Sequence, residues 1–246
     1  ITSCDQLIAL YEGFDRFEIT QEWNKRKEKY EKIYTKFNTS GDSEKDLKWL
    51  NRTAEIFIKK DCMDSEFYLQ VVTLLHELNP TSESAFKMGK RLYSKQEFSE
   101  AISYFKEAFD NEDSDNIKKA KYAYYTAAAS ALVKSYSTAR SYALKALNYR
   151  KNWGEPYILI GKLYAQTASK CGNDPASKKA GYWAAIDKFK RAKSIDKSSE
   201  NEANKLISDY KKRVPTKSLW RDNITNPDSK TYKIDCWYSE TVKVQF

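Results

Sequence analysis

Small residues recur along the middle of this chain at the spacings that a helical hairpin requires, and they do so three times. Gly89 is followed by Ala101, Phe105 and Ala108, and Ala127 by Ala139, Ala143 and Ala146 at the same intervals. Gly161 is followed by Ala185, Phe189 and Ala192 after twelve extra residues. A small residue, a turn, and then positions i, i+4 and i+7 put the second group on one face of a helix. Two helices built this way cross at close range. One such pair cannot bury its apolar face alone, so neighbouring copies must stack.

Helical periodicity extends the pattern towards both ends. Residues 3–37 read as helical through Leu7, Leu10, Tyr11 and Phe14, then Trp23, Tyr30, Ile33, Tyr34 and Phe37, and the polar run Asn38 to Asp42 breaks it. Residues 44–60 carry Leu47, Leu50, Ala54 and Phe57 at helical spacing. Asp64-Ser65 offers a cap for a following helix through Tyr68, Val72 and Leu75, which stops at Asn79-Pro80. Residues 44–80 are therefore expected to form a degenerate earlier copy. Clearer hairpins are expected at 82–111, 117–150 and 154–196, the last opened by an insertion at 166–180 around Cys171-Gly172-Asn173-Asp174-Pro175. A helix at 200–212 follows. Beyond Val214-Pro215 the period falls to two, with Tyr232, Ile234 and Cys236, then Val242, Val244 and Phe246, alternating with polar neighbours. The expected organisation is all-α: a helical segment over 1–43, repeats over 44–212, and an extended or β-hairpin tail over 213–246 packed on the last repeat.

Composition supports a packed helical chain. The 246 residues include 18 Tyr, 11 Phe and 6 Trp, enough aromatic surface for a core. Only 7 Gly and 5 Pro argue against a sandwich or barrel rich in tight turns. No run reaches membrane-spanning length, and the absence of an initiator Met or leader suggests a mature form or an excised fragment. The net charge of +9 comes from 43 basic and 34 acidic residues that are interspersed, as on solvated helix faces. The densest basic stretch, Lys205 to Arg221, lacks the glycine and aromatic interleaving of a nucleic-acid platform, so nucleic acid is not expected as a partner. Strong salt-dependent retention on nucleic acid would restore that alternative.

These copies resemble tetratricopeptide repeats, whose period is about 34 residues. Lys90 and Tyr93 after Gly89, Lys162 and Tyr164 after Gly161, and Glu97-Phe98-Ser99-Glu100-Ala101 at the turn carry the likeness. The middle copy departs from it, with Ala143 where an aromatic is usual and Ser135-Tyr136-Ser137 at the turn. The runs Tyr182 to Lys188 and Cys236 to Val242 are similar to envelope-associated tetratricopeptide proteins of Gram-negative bacteria, which implies an exported, periplasmic or envelope location. The resemblance implies a right-handed superhelix whose concave face, lined by the first helix of each hairpin, takes a protein or peptide. On that face it places Phe86, Lys90, Tyr93, Tyr124, Ala128, Ile158 and Lys162, suited to an extended peptide with apolar side chains and some negative charge. Tyr124 and Ala128 stand where a chaperone-tail clamp would need other residues, so that role is not implied. The chain's own tail could instead cover these aromatics.

Cysteines stand alone at 4, 62, 171 and 236, and His76 is the single histidine, so no zinc site can be assembled. In a solenoid each repeat touches only its neighbours, and a bridge needs α-carbons within about 7 Å. The easy pairing is then Cys4–Cys62 with Cys171–Cys236, the second tying the inserted loop to the tail. Ordinary buried thiols are the alternative, and Cys4 after Thr2-Ser3 could also mark a lipid attachment site.

His76 sits among Leu74, Leu75 and Leu78, and the acidic run Asp110, Glu112 and Asp113 falls in a connector, so both read as structural. No phosphate loop is present and no cofactor or catalytic residue is expected. The expected function is a non-enzymatic protein- or peptide-binding scaffold. The alternative is a structural repeat module of a larger envelope protein with no ligand of its own.

Overall fold

The computed structural model describes residues 43–63 and 66–246. The helical segment expected before Ser43, with Cys4, and the Asp64-Ser65 cap lie outside the described residues. The chain divides into two compact units, Ile1–Asn111 and Glu112–Phe246. The first contains α1 (Ser43–Lys59), α2 (Glu66–Leu78), α3 (Ser82–Ser94) and α4 (Phe98–Asp110). The second contains α5 (Asn116–Leu132), α6 (Tyr136–Tyr149), α7 (Gly154–Thr167), α8 (Ser177–Ile195), α9 (Glu200–Lys211), α10 (Lys217–Asn223), β1 (Thr231–Asp235) and β2 (Ser239–Lys243). Consecutive helices pair as hairpins: α1 with α2, α3 with α4, α5 with α6 and α7 with α8, with α2 also packing on α3, α6 on α7 and α8 on α9. Each unit is all-α in its hairpins, as the tetratricopeptide resemblance implies, and the second ends in an antiparallel β-hairpin.

Two of the hairpins seat a ring of the second helix against a glycine of the first. A Cβ added at Gly89 would stand 2.5 Å from Phe105 Cδ1, and one at Gly161 would stand 2.8 Å from Phe189 Cδ1. Both phenylalanines are fully buried. In the middle copy the corresponding pair is Ala127 and Ala143, both fully buried in one cluster. Glycine thus faces phenylalanine in two of the crossings, whereas in the middle copy two alanines meet with far less side-chain volume between the helices.

The turns repeat as closely as the crossings. Asp61 (φ 56°), Gln96 (φ 63°) and Lys134 (φ 60°) are left-handed. Each lies seven residues after a buried small residue: Ala54, Gly89 and Ala127. In every case the next N–H reaches back five residues at 2.9 Å: Cys62 to Phe57, Glu97 to Leu92, Ser135 to Ser130. This closes the carbonyl end of the first helix in a Schellman-like turn. It identifies α1–α2 as a copy anchored at Ala54. A non-glycine residue costs about 1–2 kcal/mol in this conformation. Lys134→Gly is therefore expected to raise the chemical-denaturation stability of its unit by about 0.5–1 kcal/mol, since glycine's greater unfolded freedom offsets part of the relief.

The insertion of the last hairpin is shorter as a loop than the expected 166–180. α7 continues to Thr167 and α8 begins at Ser177, so much of the added length becomes helix. Asp174 starts α8 by accepting the backbone N–H groups of Ala176 (2.8 Å) and Ser177 (2.9 Å). The tail also holds a helix that its sequence period hid. The Thr216 hydroxyl caps α10, which delivers Trp220 to the core at 1% exposure.

In the β-hairpin the register pairs Tyr232 with Val242 and Ile234 with Glu240. Ile234 and Val242 are buried against α8, while Thr231, Lys233, Asp235, Ser239, Thr241 and Lys243 face solvent. Among the described residues no helix is long and apolar enough to cross a membrane.

Candidate functional site

The exposed face of α7 is a stripe of four positions: Glu155, Leu159, Lys162 and Gln166. Leu159 is half-buried and the other three are exposed, and their spacing of 4, 3 and 4 keeps them on one side of the helix. Aligning Gly161 with Ala127 carries the stripe to Lys121, Tyr125, Ala128 and Leu132 of α5. There Tyr125 and Ala128 are half-buried and Leu132 is 50% exposed. α9 continues it through Glu202, whose carboxylate accepts a bond from Lys162 Nζ at 2.6 Å. The second unit therefore presents an apolar strip of Tyr125, Ala128, Leu132 and Leu159 edged by Lys121 and Lys162.

In the first unit the same positions on α3 are Glu83, Lys87, Lys90 and Ser94. Lys87 is 2% exposed, donating to Asn51 Oδ1 at 2.7 Å and pairing with Glu83 at 3.2 Å. That stretch is polar where the second unit's is apolar.

The seven residues expected on the binding face divide accordingly. Phe86 and Ile158 are corrections: at 6% and 4% exposure they are core residues. Both stand three positions before the small anchor, which turns them towards the second helix, and Phe86 packs at 5.7 Å on Phe105. Tyr93 leans on Phe98 and Phe105 at the hairpin turn, and Tyr124 is half-buried against Trp153 at 4.8 Å. Ala128 and Lys162 lie among the α5 and α7 positions named above, and Lys90 occupies the corresponding position of α3 in the first unit. Tyr125 and Leu159 were missed, although the charged pair Glu155 and Lys162, seven apart, marks the solvent side of α7.

The tail packs elsewhere. Trp237 lies 5.8 Å from the rings of both Tyr136 and Tyr164 and donates its indole N–H to Thr167 Oγ1 at 3.0 Å. Tyr238 stacks on Tyr164 at 3.8 Å. Glu240 Oε1 accepts from the Tyr164 hydroxyl (2.7 Å), Lys188 Nζ (2.9 Å) and Arg140 Nη2 (3.2 Å). Arg140 Nε also donates to the Tyr164 oxygen at 2.6 Å. The expected Cys171–Cys236 disulfide is present, with α-carbons 5.3 Å apart. Cys62 is buried, and its expected partner Cys4 lies outside the described residues. These tail contacts fall on α6, α7 and α8 at positions other than the stripe of α5 and α7.

Burial pushes the Glu240 carboxyl up, but the hydrogen bonds from Lys188 and Tyr164, the Lys188 charge and the Arg140 bond outweigh it and hold Glu240 below its ordinary value. Burial raises Tyr164 and Tyr238, so both phenols stay neutral, and it raises the neighbouring Asp187 against the pull of Lys190, Lys188 and Lys243. A carboxyl with a depressed folded pKa stabilises above its unfolded value and loses that contribution as pH falls through the folded one. Tail docking is therefore expected to weaken below about pH 4. Asp187 has the opposite sign, gaining stability on protonation. Melting Glu240→Gln beside the native chain from pH 6 to pH 3 isolates the Glu240 part, and the gap between them should close at the acid end.

One cluster has the order of a hydrolytic triad. His76 Nδ1 lies 3.0 Å from Ser84 Oγ, and His76 Nε2 lies 3.5 Å from Glu107 Oε1. Ser84 is 2% exposed, sits 2.8 Å from the Asn79 carbonyl and accepts the Thr81 N–H at 2.8 Å. Its hydroxyl is a component of the α3 capping box rather than a nucleophile facing a cleft. The histidine joins the end of α2 to α3 and α4, as the structural reading expects.

No protein-family model matches this chain, and no curated protein does. Similarities appear among solved structures. The protein MamA is 14% identical over 71% of this chain and 93% of its own, with a TM-score of 0.47. YrrB, described as a TPR protein with an unusual peptide-binding site, is 13% identical over 72% and 78%, with a TM-score of 0.49. MamA from Desulfovibrio magneticus RS-1 (41-end) is 13% identical over 73% and 98%, with a TM-score of 0.46.

Proposed function

We propose that this chain is a non-enzymatic scaffold that binds an extended peptide along the stripe of α5, α7 and α9. The observation that carries this reading is the strip Tyr125, Ala128, Leu132 and Leu159, which none of the tail contacts described above involves and which lysines border. Apolar side chains of a peptide would dock on the strip, and a peptide carboxylate would exchange with Glu202 on Lys162. Desolvating a bare leucine such as Leu132, half exposed, supplies the driving force.

Selection from a displayed library of short random peptides tests this directly. Sequences mixing apolar and acidic residues are expected to emerge. Leu159→Asp and Tyr125→Ala should each weaken them by about tenfold or more, as loss of a central anchor does, with helical circular dichroism unchanged. Binding that survives both substitutions, or a selection that enriches nothing, would sink the reading.

Location is part of the same proposal. The Cys171–Cys236 disulfide fits an exported protein, since such bridges persist in oxidising compartments. Thiol titration of the unfolded, unreduced native protein checks it. Reactive thiols at both Cys171 and Cys236 would argue against an envelope setting.

A further inference from the structure

The β-hairpin is held to the helices by side chains alone. Among the described residues, the backbone bonds outside its ladder, Cys236 N to Tyr238 O and Val244 N to Lys230 O, stay within the tail. What joins it to α6, α7 and α8 is an indole in an aromatic slot, a carboxylate held by two cations and a phenol, a bond from Lys190 Nζ to Gln245 Oε1 at 3.3 Å, apolar contact, and one disulfide. Exposed Asn226 and Asp228 lie in the connection to α10. This is how a protein recognises a peptide, with a directional anchor, a charge clamp and a polar solvent side.

We propose that Arg140, Tyr164, Thr167 and Lys188 form a receptor site for a tryptophan- and glutamate-bearing segment, which the chain's own tail fills and the Cys171–Cys236 bond keeps filled. The tether holds the tail at high effective concentration, so a free segment of the same chemistry cannot compete while the bridge is closed. A dithiol opens it. Cys171 is 2% exposed and Cys236 is half-buried, so the attacking thiolate reaches the Cys236 sulfur. A mixed disulfide forms there, the bond to Cys171 breaks, and Cys171 leaves as a thiolate that takes up a proton. The reagent's second thiol then displaces Cys236 and closes the reagent's own disulfide. The bridge gains two electrons and two protons, and the dithiol loses the same. This site is independent of the α5–α7 strip, and its readouts lie on residues that the strip variants leave alone.

Two measurements on the full chain test it. Amide exchange with and without dithiothreitol should show residues 231–243 opening about thirtyfold or more faster after reduction, the counterpart of losing a long-loop cross-link, while α6 to α8 stay protected. A full chain carrying Cys236→Ser, Trp237→Ala and Glu240→Ala has a weakened tail. It should take up a labelled peptide of residues 230–245 with Cys236→Ser. Adding Arg140→Ala should weaken that uptake by about tenfold, the loss of a charge-assisted contact, and the native oxidised chain should take up none. Unchanged protection of the hairpin after reduction would overturn the proposal, as would loss of the helices together with the hairpin. So would a weakened-tail chain that ignores the peptide, or uptake indifferent to Arg140.

Discussion

Trp183→Ala is expected to destabilise the Glu112–Phe246 unit by about 4 kcal/mol, the cost of emptying a fully buried aromatic site. Trp183 has no solvent exposure and packs edge-on to Trp220 at 4.8 Å, joining α8 to α10, with Phe246 of the tail at 6.1 Å. Its neighbours are held by the β-hairpin and the disulfide, so the void has little room to collapse. Trp183→Phe separates volume from polarity. The indole N–H of Trp183 is buried with no hydrogen-bond partner among the described residues, so replacing the indole removes a desolvated donor as well as part of a ring. Its loss should be less than half that of the alanine variant. Urea denaturation followed by circular dichroism gives both values. Equal losses would mean that the N–H is satisfied and the polar argument is wrong.

Gly161→Leu should cost about 3 kcal/mol, at the upper end of overpacking penalties. In an open helix the change would stabilise by about 0.8–1 kcal/mol, because glycine is the poorer helix former. Here the new Cβ alone would strike the Phe189 ring, which is fully buried and has nowhere to swing. Packing sets the sign. Combining Gly161→Leu with Phe189→Ala should recover more than half of the loss, because the volume is handed back across the same crossing. A double-mutant cycle measures that coupling, and additive losses would show that the two side chains do not share one space.

The crossings were legible in the sequence because small residues mark them: Gly89, Ala127 and Gly161 fix where the first helix of each hairpin meets the second. The Ala127–Ala143 pair could be aligned with them, but that both alanines are fully buried in one cluster is seen only in the structure. The turns were silent for a different reason. Asp61, Gln96 and Lys134 occupy left-handed positions where glycine would have announced the helix end. α10 escaped because its seven residues are too few for a helical period to show. The expected face was offset in register: counting back three from the anchor reaches the core at Phe86 and Ile158, whereas in the second unit the half-buried Leu159 and Tyr125 lie two before it. That offset follows from hairpin packing, which places the anchor's flanks against different neighbours.

The ion pair between Arg140 and Glu240 joins residues 100 positions apart, whereas the hairpins close over a few dozen. Contacts between sequence neighbours form early, and those across long separations wait for the loop between them to be ordered. During synthesis the helices bearing Arg140 and Lys188 therefore leave the ribosome well before the glutamate that neutralises them. In the nascent chain these cations are made before the carboxylate that pairs with them, and the site they form is completed only by residues synthesised later.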